Sequence, residues 1–219
     1  MNRLSIFYPV KPFRIFQPFG ASEACTEDLP NVPITKRRVV TKVNNVCPFG
    51  FVELYPLLGM KGHTGIDMQA TSGQPVYAAT GGVVEEVQTE LERGLGVSII
   101  TTGRFDMGAR GEHFAKTRYW HLKAISVSIG QRVDAGDIIG YADSTGLSSG
   151  DHLHFELKPV KTTPDGGYAN VFQDNGYYGA IDPIPFFNGY FAVDSQKVIN
   201  TMRALLQAMI NLLNILQKK

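Results

Sequence analysis

Residues 150–156 read Gly-Asp-His-Leu-His-Phe-Glu, GDHLHFE. The chain has only five histidines, yet two stand one residue apart here, beside a carboxylate and among strand-forming residues. On a strand, residues i and i+2 share a face. The pattern therefore predicts a strand with His152 and His154 on one side and Leu153 and Phe155 turned to a core. Strand geometry puts the two imidazoles about 6–7 Å apart along the chain. One can then hold a metal while the other reaches a substrate beside it. Glu156 falls on the face of His154, either as a hydrogen-bond partner behind it or as a surface glutamate.

Similar short runs fill the chain between residues 5 and 190. Pro75-Val76-Tyr77-Ala78, Gly82 to Val87, Val97 to Ile100 and Arg118 to Leu122 are each four to six residues long, rich in β-branched or aromatic types and bounded by turn residues. Together with 23 glycines and 12 prolines they predict a mainly β fold, an antiparallel sheet core open to a substrate groove. No long helical period occurs before residue 194. One pattern recurs: Gly73-Gln74-Pro75-Val76-Tyr77-Ala78 and Gly130-Gln131-Arg132-Val133-Asp134-Ala135 are each followed by a tight turn and an apolar run. Each reads as a strand–turn–strand unit of a compact sheet or half-barrel.

The remaining histidines extend the pattern. His63-Thr64-Gly65-Ile66-Asp67 places an imidazole and a carboxylate four residues apart, and His121 lies in Tyr119-Trp120-His121-Leu122. Imidazole and carboxylate are good zinc ligands, and three protein ligands with one open position is the usual catalytic arrangement. His113, in Gly111-Glu112-His113-Phe114, reads as a solvent-facing loop residue.

HTGIDMQATSGQPVYAATGGVV (63–84), YWHL (119–122) and GQRVDAGDIIGYADSTGLSSGDHLHFEL (130–157) stand in the order of three family motifs. The chain resembles the LytM/lysostaphin-type zinc peptidases, the M23 metallopeptidases, over about residues 58 to 157. The likeness extends weakly to Phe16–Gly20 and to Ile181-Asp182-Pro183. It implies a LytM-like fold, zinc held by His63, Asp67 and His154, and His121 and His152 as acid/base and transition-state groups beside it. It implies an endopeptidase of bacterial peptidoglycan stems or cross-bridges. The alternatives are a non-catalytic wall-binding or regulatory module of the same fold, or a virion- or secretion-associated structural peptidase. Residues 21–58 and 101–118 read as elaborations of the family core. Gly62, Gly65, Gly146 and Gly150 frame the site, and the stretch with Ser144, Thr145, Ser148 and Ser149 reads either as a turn alone or as hydroxyls that bind a substrate backbone.

The expected organisation is a peptidase domain over residues 1–193, with core motifs 58–190, and a C-terminal amphipathic helix over 194–219. Asp194 and Ser195 are good helix caps. Beyond them Val198, Met202, Leu205, Met209, Leu212 and Leu216 recur in steps of four and three. Ile199, Leu206, Ile210 and Leu213 widen the stripe. The expected contacts of that helix are its own domain, a second copy of the chain or a membrane surface. A formal net charge of +1 gives no general pull toward nucleic acid. Cys25 and Cys47 are either a disulfide or two free thiols. Pro9, Lys11, Pro12 and Arg14 interrupt the apolar N-terminal stretch, so it does not read as a signal peptide. Action at the cell wall is expected all the same.

Overall fold

The computed structural model describes residues 2–92, 94–191 and 195–216. Strands β1 (Ile15–Gln17), β2 (Ala24–Glu27), β3 (Val39–Thr41) and β4 (Phe51–Glu53) lead into one helical turn, α1 (Leu54–Leu57). Ten strands follow: β5 (Ile66–Gln69), β6 (Pro75–Tyr77), β7 (Gly82–Gln88), β8 (Leu95–Ile100), β9 (Phe105–Asp106), β10 (Glu112–Ile125), β11 (Arg132–Val133), β12 (Ile138–Ala142), β13 (His152–Thr162) and β14 (Tyr168–Asn170). The chain ends in α2 (Ser195–Leu216). Expectations resting on Asp194, Lys218 and Lys219 fall outside the described residues.

Eleven strands form one antiparallel sheet, in the order β1-β5-β13-β10-β8-β7-β11 along its main path. Strand β12 joins β10 to β6, while β14 and β9 pair with β13 and β10. Leu153 and Phe155 are fully buried, as the alternation around the two histidines requires. They pack with Ile66, Met68, Tyr119, Leu122 and Ile139 in one core. Leu4, Ile6 and Val10 belong to that core too.

The two central strands are longer than the sequence runs suggest. Strand β10 has 14 residues and β13 has 11. Arg118 and Lys116 sit inside β10 with their charges paired to Glu156 and Glu85, so polar residues continue the strand without breaking it. This corrects two expectations. Residues 112–118 belong to β10, not to a loop, and His113 is half-buried within it. Its Nε2 lies 2.7 Å from the Arg110 carbonyl and its ring packs edge-on against Phe172.

The repeated pattern also takes a different form. Strand β6 pairs with β12 and β11 pairs with β7, so each repeat pairs with the other and not with itself. The two units thus clasp each other through these two pairings.

Residues 21–58 fold as a separate lobe. Its sheet has the order β3-β2-β4, and Cys25 is joined to Cys47 by a disulfide, which settles the thiol question. A small apolar cluster of Ala24, Leu54 and Tyr55 backs it, with Val39, Leu58, Met60 and Leu147 packed alongside. Helix α2 carries its apolar stripe in the open. Ile199, Met202, Leu205, Leu206, Met209, Ile210 and Leu213 are all exposed, so packing on its own domain does not describe it.

Candidate active site

Strands β5 and β13 lie side by side with His154 opposite Asp67. His63 sits one turn before β5, where Gly20 and Ala21 hold its backbone by hydrogen bonds at both ends. Gly65 between His63 and Asp67 is required by space: an added Cβ would stand 2.3 Å from the Phe155 carbonyl oxygen. The chain therefore presses two strands together at the position that brings the three side chains into reach.

His63 Nε2 lies 2.9 Å from His154 Nδ1 and 3.1 Å from Asp67 Oδ1, and the last two atoms are 2.9 Å apart. A tetrahedral site with ligand bonds of about 2.0–2.1 Å has neighbouring donors roughly 3.3 Å apart. The three donors thus fit one small divalent cation after a slight opening, and they are buried or nearly so. His63 Nδ1 stands 3.2 Å from the Pro18 carbonyl. A carbonyl only accepts, so this ring carries its proton on Nδ1 and offers the Nε2 lone pair to the site.

Burial alone would raise the Asp67 carboxyl. The hydrogen bond from His154, with the His63 ring close beside it, overcomes that and holds it well below the usual carboxylate range. Burial would likewise lower His154, but Asp67 on one ring nitrogen and Glu156 on the other push it up to about 9. Glu156 is buried, not a surface glutamate. It accepts hydrogen bonds from Thr64 Oγ1 at 2.5 Å, Arg118 Nη1 at 2.7 Å and Lys158 Nζ at 3.1 Å, and lies 3.4 Å from His154 Nε2.

His152 and His121 stand next to this group without joining it. His152 Nε2 is 3.6 Å from Asp67 Oδ1, and its ring centroid is 4.6 Å from that of His121. His152 Nδ1 is 2.7 Å from the Gly150 carbonyl, and His121 Nδ1 is 2.7 Å from the Thr145 carbonyl. Both rings therefore donate from Nδ1 and keep Nε2 as a free acceptor. Burial, followed by the neighbouring imidazoles His152 and His154, pushes His121 down to about 3. Burial also lowers His152, with Asp67 opposing in part. Two neutral bases result.

The backbone at His121 shows how it reaches the site. Its φ is +65°, and the pairing of β10 slips between Trp120 and Leu122. This bulge turns an imidazole out of a strand whose regular alternation would not aim it there. Gly96 makes room beside it, since an added Cβ would stand 2.3 Å from the Trp120 ring. Thr145 anchors the loop 143–151 by donating to the Leu122 carbonyl at 2.7 Å and accepting from Leu95 N–H at 3.0 Å. Its hydroxyl serves the loop and is not free for a substrate. Ser148 is similarly engaged, with the Gly150 carbonyl at 2.8 Å and His152 Nδ1 at 3.3 Å. The anchoring role of Thr145 and the bulge were invisible in the sequence, because neither leaves a compositional mark.

The five side chains open into a cavity of about 280 Å³, lined also by Ala24, Val39, Leu54 and Tyr55 of the lobe and by Trp120, Leu147 and Ser149. A cation-sized group of two imidazoles and one carboxylate, with two further neutral imidazoles aimed at it from an antiparallel sheet, is the build of a metallopeptidase. Residues 61–166 match Peptidase family M23, and the chain carries a domain of that family.

The glycyl-glycine endopeptidase ALE-1 of Staphylococcus capitis is 35% identical over 135 residues, 60% of this chain and 31% of that protein. The peptidoglycan DD-endopeptidase ShyC of Vibrio cholerae is 34% identical over 126 residues, 57% of this chain and 25% of that protein. The catalytic domain of lysostaphin from Staphylococcus simulans, a solved structure, aligns with a TM-score of 0.44 at 30% identity, over 57% of this chain and 79% of that chain. The chain spans less than a third of the length of these two curated relatives.

Proposed function

We propose that the chain is a zinc-dependent endopeptidase that hydrolyses peptide stems or cross-bridges of bacterial peptidoglycan. One observation carries the reading: His63 Nε2, Asp67 Oδ1 and His154 Nδ1 converge to about 3 Å, while His121 and His152 keep a free Nε2 beside them. His63, Asp67 and His154 would hold the ion, which when bound supplies Lewis acidity toward a water and a scissile carbonyl. The carbonyls of Thr145 and Gly150 fix the Nδ1 protons of His121 and His152. Each Nε2 is then ready to take a proton from water and return it to the leaving amine. As imidazolium, either ring also stabilises the negative charge that develops on the attacked carbonyl oxygen.

Two relatives named for peptidoglycan or glycyl-glycine cleavage support the substrate class. The Cys25–Cys47 disulfide supports action outside the cytoplasm, at the cell wall. The test is digestion of purified sacculi by zinc-loaded protein, with mass spectrometry of the released fragments and a chelated control. New peptide termini that vanish with the chelator and return with zinc are expected. Unchanged muropeptides after incubation with the zinc-loaded protein overturn the reading.

A further inference from the structure

The lobe contributes more than apolar bulk to the cleft, because one of its strands has an unused edge. Strand β3 pairs with β2 and with no other described strand. The register shows which backbone groups that pairing consumes. Lys42 N–H donates to the Glu23 carbonyl at 2.6 Å, and Glu27 N–H donates to the Arg38 carbonyl at 3.2 Å. In an antiparallel pair the groups used alternate along the strand. Arg38, Val40 and Lys42 therefore face β2, and the N–H and C=O of Val39 and Thr41 point the other way.

That edge borders the site. Val39 lines the central cavity, and Val39, Val40 and Thr41 together line a second cavity of about 90 Å³. Side chains of three consecutive strand residues alternate between faces, so their common border with that space is the backbone. Gln17, Ala24, Val39 and Ser149 line both cavities, which makes them one groove. Phe16 of β1 forms the opposite wall, its ring edge-on to His152 at 5.5 Å.

We propose that the outer edge of β3 is the peptide-binding rail of the groove. The substrate adds to it as an extended strand, hydrogen-bonded to the main chain of Val39 and Thr41. This inference rests on the peptidase reading and adds the mode of substrate recognition. The two residues present their donor–acceptor sets about 6.6–6.8 Å apart, the repeat of an extended chain. Main-chain pairing supplies affinity and the walls supply selection.

The walls define the ligand chemistry. No lysine or arginine lines either cavity, and the charged side chains that do are Asp67 and Glu23. Away from the metal site, a carboxylate-bearing segment finds no lysine or arginine in the groove. The geometry suits a run of α-linked residues with small, uncharged side chains.

The test uses the full chain with His121→Ala, zinc-loaded to keep the site assembled and turnover blocked, and ¹⁵N-labelled. Hexaglycine is titrated and the amide spectra are followed. Saturable shifts at Val39 and Thr41, with slowed hydrogen exchange of both amides, are expected. A hexaglycine N-methylated at alternate residues, and Gly-Glu-Gly-Glu-Gly-Glu, should bind at least tenfold more weakly. In the otherwise native chain, Thr41→Pro and Val39→Pro each remove an outward N–H without touching the β2 ladder. Each should raise KM for an uncharged peptide several-fold at unchanged kcat and zinc content.

Shifts confined to residues around His121 and His154, equal binding of the N-methylated peptide, or no saturation at millimolar hexaglycine overturns the rail. Those results leave sacculus digestion untouched. Failure of digestion with saturable binding at β3 would instead overturn the peptidase reading alone.

Discussion

On the proposed reading the imidazoles divide by how closely they approach Asp67: His63 Nε2 at 3.1 Å and His154 Nδ1 at 2.9 Å, against 3.6 Å for His152 Nε2. His63 and His154 offer a lone pair to the same point as Asp67, while His121 and His152 spend Nδ1 on carbonyls and stop short of it. Alanine at His63, Asp67 or His154 is therefore expected to lose both bound zinc and activity. Alanine at His121 or His152 should keep about one zinc per chain and lower kcat by roughly 10²–10⁴. Metal analysis of the dialysed variants, read beside their turnover, checks the division. Equal zinc loss in both groups would show that the roles are wrongly split.

The metal-free site also binds protons, because Asp67 faces one ring nitrogen of His154 and Glu156 faces the other. A protonated His154 cannot ligate, so metal uptake must expel that proton. Its pKa of about 9 lies above the ordinary value of 6.5, so below 9 the ligating neutral form grows with pH. Zinc affinity should rise about tenfold per pH unit between pH 6.5 and 9 for one displaced proton, and flatten above. Competition against a chelating dye across that range measures it. A slope of zero would mean that His154 is already neutral.

At this scale the sequence was informative where chemistry is carried by residue type. Five polar residues in three short motifs pointed to one site. It was silent where chemistry is carried by backbone: the left-handed His121 and the carbonyls of Thr145 and Gly150 come from main-chain shape, which many side chains would permit.

Among the elements, the lobe of β2, β3 and β4 is the one whose local stability is least provided by packing. Its buried apolar cluster is Ala24, Leu54 and Tyr55, too small to hold three short strands of three or four residues. The Cys25–Cys47 bond, across a separation of 22 residues, offsets this by about 3 kcal/mol through the entropy of the unfolded lobe. Replacing both cysteines by alanine should therefore loosen the lobe and spare the site, since Asp67 and His154 stand on β5 and β13 and His63 is held by Gly20 and Ala21, outside the disulfide loop. Amide exchange is expected to speed up in residues 24–53, with zinc content unchanged and KM raised more than kcat is lowered. A collapse of zinc binding in the double variant would show that the lobe supports the ligands directly.

The elements themselves divide by how their signal arises. Strand β13 was legible because Leu153 and Phe155 alternate with His152 and His154. The full length of β10 was not, because Lys116 and Arg118 are polar and their place in the strand depends on Glu85 and Glu156 from other strands. The cross-pairing of the two Gly-Gln-x-Val-x-Ala units is a long-range choice that no local pattern encodes.

Across the whole molecule, a β core and a helix with an exposed apolar face share one chain. The main core is built from residues between Leu4 and Phe186, and among the described residues none of its members comes from α2. Met202, Leu205 and Met209 stay 65%, 62% and 63% exposed, so these side chains take no burial energy from the sheet. Its 4-3 spacing was plain in the sequence, but spacing states that a face is apolar and not what covers it. None of the described helices is long and apolar enough to cross a membrane. The consequence is mechanical independence. A chain ending after residue 191 should melt within about 2 °C of the full chain, since a loss of even 1 kcal/mol would move a domain of this size by roughly 2–4 °C. It should also keep its zinc and its turnover of soluble muropeptides, while sedimentation at high concentration loses any self-association that the full chain shows. Differential scanning calorimetry decides the first part. A fall of 10 °C or more would mean that the apolar stripe stabilises the sheet after all, and that the exposed face of the helix is not its resting state.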